Sequence, residues 1–147
     1  MKFSKHLAVE RPTQIAIRDP DKELTWRELD DTLNRCANGL SLLDLGAEKR
    51  LAVFAENAAE TALANLGGLI AGASVVPVNF HLTSEEVAYI LNDSEARVLF
   101  VGPETLERGL IAAEQSKIDT VIAWNVDPGE GYRLWSDWLH SSSNSEP

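Results

Sequence analysis

Leu51-Ala52-Val53-Phe54-Ala55, then Asn57-Ala58-Ala59-Glu60, then Ser74-Val75-Val76-Pro77-Val78-Asn79 form the stretch that decides the fold. The first run is short and apolar, as a strand buried on both faces must be. The middle carries Leu63, Leu66, Leu69 and Ile70 at helical steps as far as Gly72, and Asn57 is placed to cap it. The last run is β-branched, with Pro77 near its end. Strand, helix, strand with no tight turn between the strands requires a crossover, and crossovers between parallel strands are right-handed.

The pattern continues in both directions. Upstream, Gln14-Ile15-Ala16-Ile17-Arg18 alternates, Asp19-Pro20-Asp21 turns and Glu23-Leu24-Thr25 returns, which predicts a hairpin. Thr25-Trp26-Arg27-Glu28 is a capping box. Behind it Trp26, Leu29, Leu33, Cys36, Ala37, Leu40 and Leu43 share one helical face, and Gly46 is placed to stop that helix. Downstream, Thr83-Ser84-Glu85-Glu86 is another capping box, with Val87, Ile90 and Leu91 facing inward. Arg97–Val101 and Thr120–Trp124 read as strands, residues 104–116 as a helix and Tyr132–Leu139 as a short aromatic helix. The expected fold class is α/β: a three-layer α/β/α arrangement, a largely parallel sheet and an N-terminal β-hairpin. Residues 1–140 form the expected α/β subdomain. Residues 141–147, Ser-Ser-Ser-Asn-Ser-Glu-Pro, read as a disordered polar linker.

The 147 residues suffice for one core. The net charge of −10 is unevenly placed. Residues 1–50 balance, whereas 51–147 hold four basic side chains (Arg97, Arg108, Lys117, Arg133) against fourteen acidic ones. Such a surface repels phosphate backbones and anionic lipid, so no nucleic-acid partner is expected. No run approaches the ~18 apolar residues of a membrane span, and no secretory signal opens Met1-Lys2-Phe3-Ser4-Lys5-His6. With a single cysteine, the expected compartment is the cytoplasm.

Chemistry is hard to find. The spacings G-x4-G-K-[ST], G-x-G-x-x-G and G-x-S-x-G are absent. Gly67, Gly68 and Gly72 fit close helix–sheet packing. Cys36 lies on an inward helical face, as an inert core thiol does. His81 stands near Glu85 and Glu86, but at a helix entrance. Asp30 and Asp31 fall inside a helix rather than at strand ends. Trp135 and Trp138 lie one helical step apart and could face a missing neighbour. The residues therefore mark no catalytic, cofactor-binding or metal-binding position.

The ordered segments resemble those of adenylate-forming enzymes: acyl-CoA synthetases, luciferases and peptide-synthetase adenylation domains. Leu24-Thr25-Trp26-Arg27-Glu28-Leu29 is similar to "L-T-[YW]-x-E-L". Leu51-Ala52-Val53 with Glu56-Asn57 resembles the strand and turn that follow. Ala71-Gly72-Ala73-Ser74-Val75-Val76-Pro77-Val78-Asn79 resembles "A-G-A-x-x-V-P-x-N". Leu82-Thr83, Glu86, Tyr89-Ile90-Leu91, Asp93-Ser94 and Ala96 continue it. Asn79 with Leu82-Thr83 looks more like acyl-CoA synthetases than amino-acid adenylation domains. One departure is the turn Gly46-Ala47-Glu48-Lys49-Arg50, which lacks the "G-D-R-V" form.

The resemblance implies a parent enzyme that activates a carboxylate with Mg-ATP and passes the acyl group from its adenylate to CoA. The family's phosphate loop, aromatic-Gly-x-Thr-Glu segment, ribose-binding Asp and C-terminal lysine have no counterpart here. The chain is thus expected to be the N-terminal portion of a fatty-acyl-CoA synthetase, inactive alone. Its expected partners are the remainder of the parent and, through an exposed apolar face, other copies of itself. A stand-alone binding module and a small complete nucleotide-binding protein are the alternatives.

Overall fold

The computed structural model describes residues 3–147, so Met1 and Lys2 of the expected subdomain lie outside the described residues. Helix α1 (Phe3–Glu10) precedes a hairpin of β1 (Ile15–Arg18) and β2 (Glu23–Thr25). Then come α2 (Trp26–Ser41), β3 (Arg50–Phe54), α3 (Ala59–Ile70), β4 (Ser74–Val78), α4 (Ser84–Asp93) and β5 (Val98–Val101). The chain finishes with α5 (Leu106–Glu114), β6 (Thr120–Ala123), β7 (Arg133–Leu134) and α6 (Trp135–His140).

Five parallel strands lie in the order β4-β3-β5-β6-β7. The chain steps one way from β3 to β4 and the other way from β4 to β5. A right-handed crossover can reverse direction only by changing faces, and the core shows that change. Leu51, Val53, Val98, Phe100 and Ile122 pack with α2, α3 and α6. Ala52, Phe54, Leu99, Val101 and Val121 pack with α4 and α5. The strand period of two thus supplies both cores from the same short strands. The α/β fold class, with its parallel sheet and separate hairpin, is as the sequence predicts.

Both capping boxes form: Thr25 with Glu28 and Thr83 with Glu86 each exchange side-chain and backbone bonds. β4 is an edge strand, where Pro77 removes no ladder bond that a central strand would need.

Several details differ from the expectations. Helix α1 was not predicted, because its eight residues show only weak amphipathic spacing. Helix α2 ends at Ser41 with Leu42 as its cap, and Gly46 instead takes φ +72° in the following turn. Gly72 also leaves the helix; its φ of +74° turns the chain into β4. Asn57 does not cap α3. The cap position is Ala58, which makes no side-chain bond, and the Ala59 N–H donates to Asp19 Oδ2 from the hairpin turn. The aromatic helix starts at Trp135, because Arg133 and Leu134 pair with β6. Trp135 and Trp138 do not await a neighbour. They are buried at 5% exposure each, edge-on to Phe100.

Residues 141–147 run back along α2. Asn38 Nδ2 donates to the carbonyls of Ser143 (2.9 Å) and Ser145 (2.8 Å), and Arg35 donates to that of Ser142 (2.6 Å). Ser142 is buried and fills the space that a side chain at Gly39 would need.

Candidate functional site

In an open parallel sheet, ligands and partners gather outside the carboxyl ends of strands where the strand order reverses. Here that point lies between β3 and β5, which pair through Phe54 and Val101. Glu56 follows β3 by two residues and Gly102 follows β5 by one. The Glu56 carboxyl group lies over Gly102. A Cβ added to Gly102 would meet both of its oxygens at 2.6 Å, so only glycine leaves room for it. Glu56 Oε2 is buried and has no hydrogen-bond partner among the described residues.

The floor beneath is closed by Thr105. Its hydroxyl donates to the Phe54 carbonyl at 2.6 Å and accepts the Gly102 N–H at 3.1 Å. Thr105 is fully buried, and these two bonds tie the two strand ends together. Arg108 lies 5.2 Å from the centre of the Phe54 ring and donates to the carbonyls of Leu82 and Glu104. Its positive charge therefore serves the α4–α5 side of the sheet. The other buried polar atom without a partner among the described residues is Trp124 Nε1. Trp124 lies one residue beyond β6, at the same carboxyl edge.

The residues singled out from sequence fall elsewhere. Cys36 is completely buried, and burial pushes its thiol up to about 12. It is unreactive for want of thiolate. Gly67 packs against Cys36, since a Cβ there would collide with the cysteine Sγ, and Gly68 packs against Val75 and Leu51. His81 is exposed and stacks on Phe80 with ring centres 4.0 Å apart, while Glu86 is committed to its capping box. Asp30 accepts a long bond from Asn34 on α2. Among the described residues, no three His, Cys, Asp or Glu side chains gather to hold a metal ion. No helix there is long and apolar enough to cross a membrane.

Glu56 and Gly102 were not legible as a pair. The signal that could have found them is their shared position just past strand ends. Without the strand order, nothing indicated that those two ends are neighbours.

The family model described as AMP-binding enzyme matches residues 4–143. The long-chain-fatty-acid–CoA ligase FadD13 of Mycobacterium tuberculosis is 31% identical over 126 residues, covering 86% of this chain and 22% of the ligase. Tyrocidine synthase 3 of Brevibacillus parabrevis is 31% identical over 120 residues, covering 82% of this chain and 2% of the synthase. Among solved structures, the anthranilate CoA ligase AuaEII superposes with a TM-score of 0.88 at 26% identity, covering 98% of this chain and 28% of that one. The chain thus spans between 2% and 28% of these three relatives.

Proposed function

Because this chain belongs to the AMP-binding enzyme family, we propose that it is the N-terminal α/β subdomain of an ATP-dependent carboxylate–CoA ligase. The supporting observation is a family match over residues 4–143 in a chain that spans only 22% of one such ligase and 28% of another. The parent would join a carboxylate to the α-phosphate of ATP with loss of pyrophosphate, then transfer the acyl group to the CoA thiol with loss of AMP. A fatty acid is the proposed substrate, on the FadD13 likeness and the Asn79, Leu82-Thr83 pattern; an aryl acid is the competing one, on the AuaEII likeness.

The residues present do not fit Mg-ATP. Phosphates need backbone or cationic donors, and the strand-end crevice offers the Glu56 carboxyl group instead. Gly67 and Gly68 are consumed by packing. ATP, Mg and CoA would therefore be held by the rest of the parent, and this chain is inactive alone. We place the subdomain at residues 1–140, with the linker following. An ATP-using ligase with one buried thiol fits a reducing cytoplasm. The isolated chain should self-associate through β4, an open sheet edge.

The test is ATP–pyrophosphate exchange by the full reading frame against a panel of fatty and aryl acids, beside calorimetry of this chain with Mg-ATP. Acid-dependent exchange by the parent and no heat from the chain are expected. Tight Mg-ATP binding by residues 1–147 would overturn the division of labour. Light scattering that shows a monomer at high concentration would remove the self-association, and fractionation checks the compartment.

A further inference from the structure

We propose that Glu56 anchors this subdomain to the remainder of its parent enzyme, by accepting a hydrogen bond from an arginine or lysine of that remainder. The inference rests on the reading of the chain as part of a longer ligase.

Four observations carry it. Glu56 Oε2 is buried without a partner among the described residues, an arrangement that is costly until a donor arrives. The carboxyl group is held in place, because it occupies the side-chain space of Gly102 and cannot lie there over any other residue. The donors that the structure places at these strand ends bond elsewhere: the Thr105 hydroxyl to the Phe54 carbonyl, and Arg108 to the carbonyls of Leu82 and Glu104. Finally, residues 51–147 carry fourteen acidic side chains against four basic ones, so the complement to this half is basic. A charge-assisted bond from a guanidinium or ammonium group satisfies a carboxylate better than a neutral donor does. Trp124 Nε1, the other unpartnered buried polar atom, sits at the same strand-end edge. Both unmet demands therefore lie where the sheet meets whatever covers its carboxyl ends.

The experiment compares Glu56→Gln in two proteins, the 147-residue chain and the parent encoded by the full reading frame. Gln keeps the shape and removes the charge. In the isolated chain, relief of an unpartnered carboxyl group should raise Tm by roughly 3 °C. In the parent, loss of the ionic partner should lower the melting temperature of the adenylating region by a similar amount. Gly102→Ala, which displaces the carboxyl group, should lower it too. A shift of the same sign in both proteins, or none in either, overturns the proposal while leaving acid-dependent pyrophosphate exchange intact. A frame that ends at Pro147 overturns the ligase reading and the anchor together. A dimer of the isolated chain that Glu56→Gln abolishes assigns the anchor to a second copy and also overturns it.

Discussion

Asp19 Oδ2 accepts the backbone N–H of Ala59 at 2.7 Å, so the N-terminus of α3 is capped by a residue forty positions earlier. The other carboxyl oxygen accepts the N–H groups of Asp21 and Lys22 at 2.8 and 2.7 Å. One side chain therefore closes the hairpin turn and docks that turn on the helix. A helix N-terminus presents unpaired N–H groups and partial positive charge, which a carboxylate answers. The sheet's first crossover thereby depends on an element outside the sheet.

That bonding predicts an acid-sensitive hairpin. The Ala59 N–H, followed by those of Asp21 and Lys22, holds the Asp19 carboxyl below its ordinary value. A group whose folded value is depressed stabilises the fold above its unfolded value of about 3.9, and that contribution is lost as pH falls through the folded value. Asp19→Asn keeps an acceptor but cannot titrate. Urea melts between pH 5 and pH 2 should show a shallower loss of stability for the variant than for the wild type. The slope should not vanish, because the Thr25 and Thr83 N–H groups hold Glu28 and Glu86 low in the same way. Parallel curves would show that Asp19 docks the turn without its charge mattering.

The same turn makes a second contact, between Lys22 Nζ and Glu60 Oε1, and Glu60 is almost wholly buried. Removing one partner of a buried pair leaves the other charge stranded. Lys22 is about a third exposed, at 35%, so solvent softens the penalty. Lys22→Met should cost about 2–3 kcal/mol in urea melts, just below the ~3–5 kcal/mol of a fully buried pair. The double variant Lys22→Met, Glu60→Met should recover part of it, since two apolar side chains strand no charge. Equal losses in single and double variants would mean that the two residues do not act as a pair.

Cys36 and Gly67 form a close contact between α2 and α3, where a Cβ on Gly67 would collide with Sγ. Gly67→Ala should destabilise by about 1–3 kcal/mol, as overpacking does, despite the better helix propensity of alanine. Adding Cys36→Ala removes the sulfur and should restore most of the loss. The burial that pushes the thiol up to about 12 also predicts no reaction with a thiol reagent until the chain unfolds. Prompt labelling of the native chain would show that the α2–α3 contact opens.

The strands β1 to β6, both capping boxes and the parallel sense of the sheet were legible because each rests on local pattern, whereas the two-residue β7 was read into the helix behind it. Leu51–Phe54 could only be a buried strand, and Thr25 with Glu28 states its own cap. What stayed hidden depends on neighbours remote in sequence. Asp19 reads as a turn residue, and nothing near it names Ala59 as its target. Trp135 and Trp138 read as aromatics that could face a missing neighbour until Phe100 is placed beside them. Glu56 and Gly102 look unrelated until β3 and β5 pair. The candidate site belongs wholly to this second kind.

The chain's final residues divide at Ser142. Beyond it, Ser143 and Ser145 offer carbonyls to Asn38 at the exposed rim of α2, and Glu146 pairs with Lys5 of α1 where both side chains are more than half exposed, so solvent weakens the pair. Before it, Ser142 Oγ donates to the Trp138 carbonyl at 2.9 Å and Ser141 Oγ to the same carbonyl at 2.8 Å, which closes the end of α6. The Ser142 carbonyl also accepts from Arg35. Truncation after Ser142 should therefore change stability by no more than about 0.5 kcal/mol, as surface changes do. Truncation after Leu139 should cost about 1–3 kcal/mol, because it strips the α6 terminus and uncovers the Gly39–Trp138 contact. Tryptophan emission should shift to longer wavelength only in the shorter chain. Equal stability of the two truncations would mean that Ser141 and Ser142 add nothing to the subdomain at 1–140, whereas the expected difference shows that these first two linker residues cap its last helix.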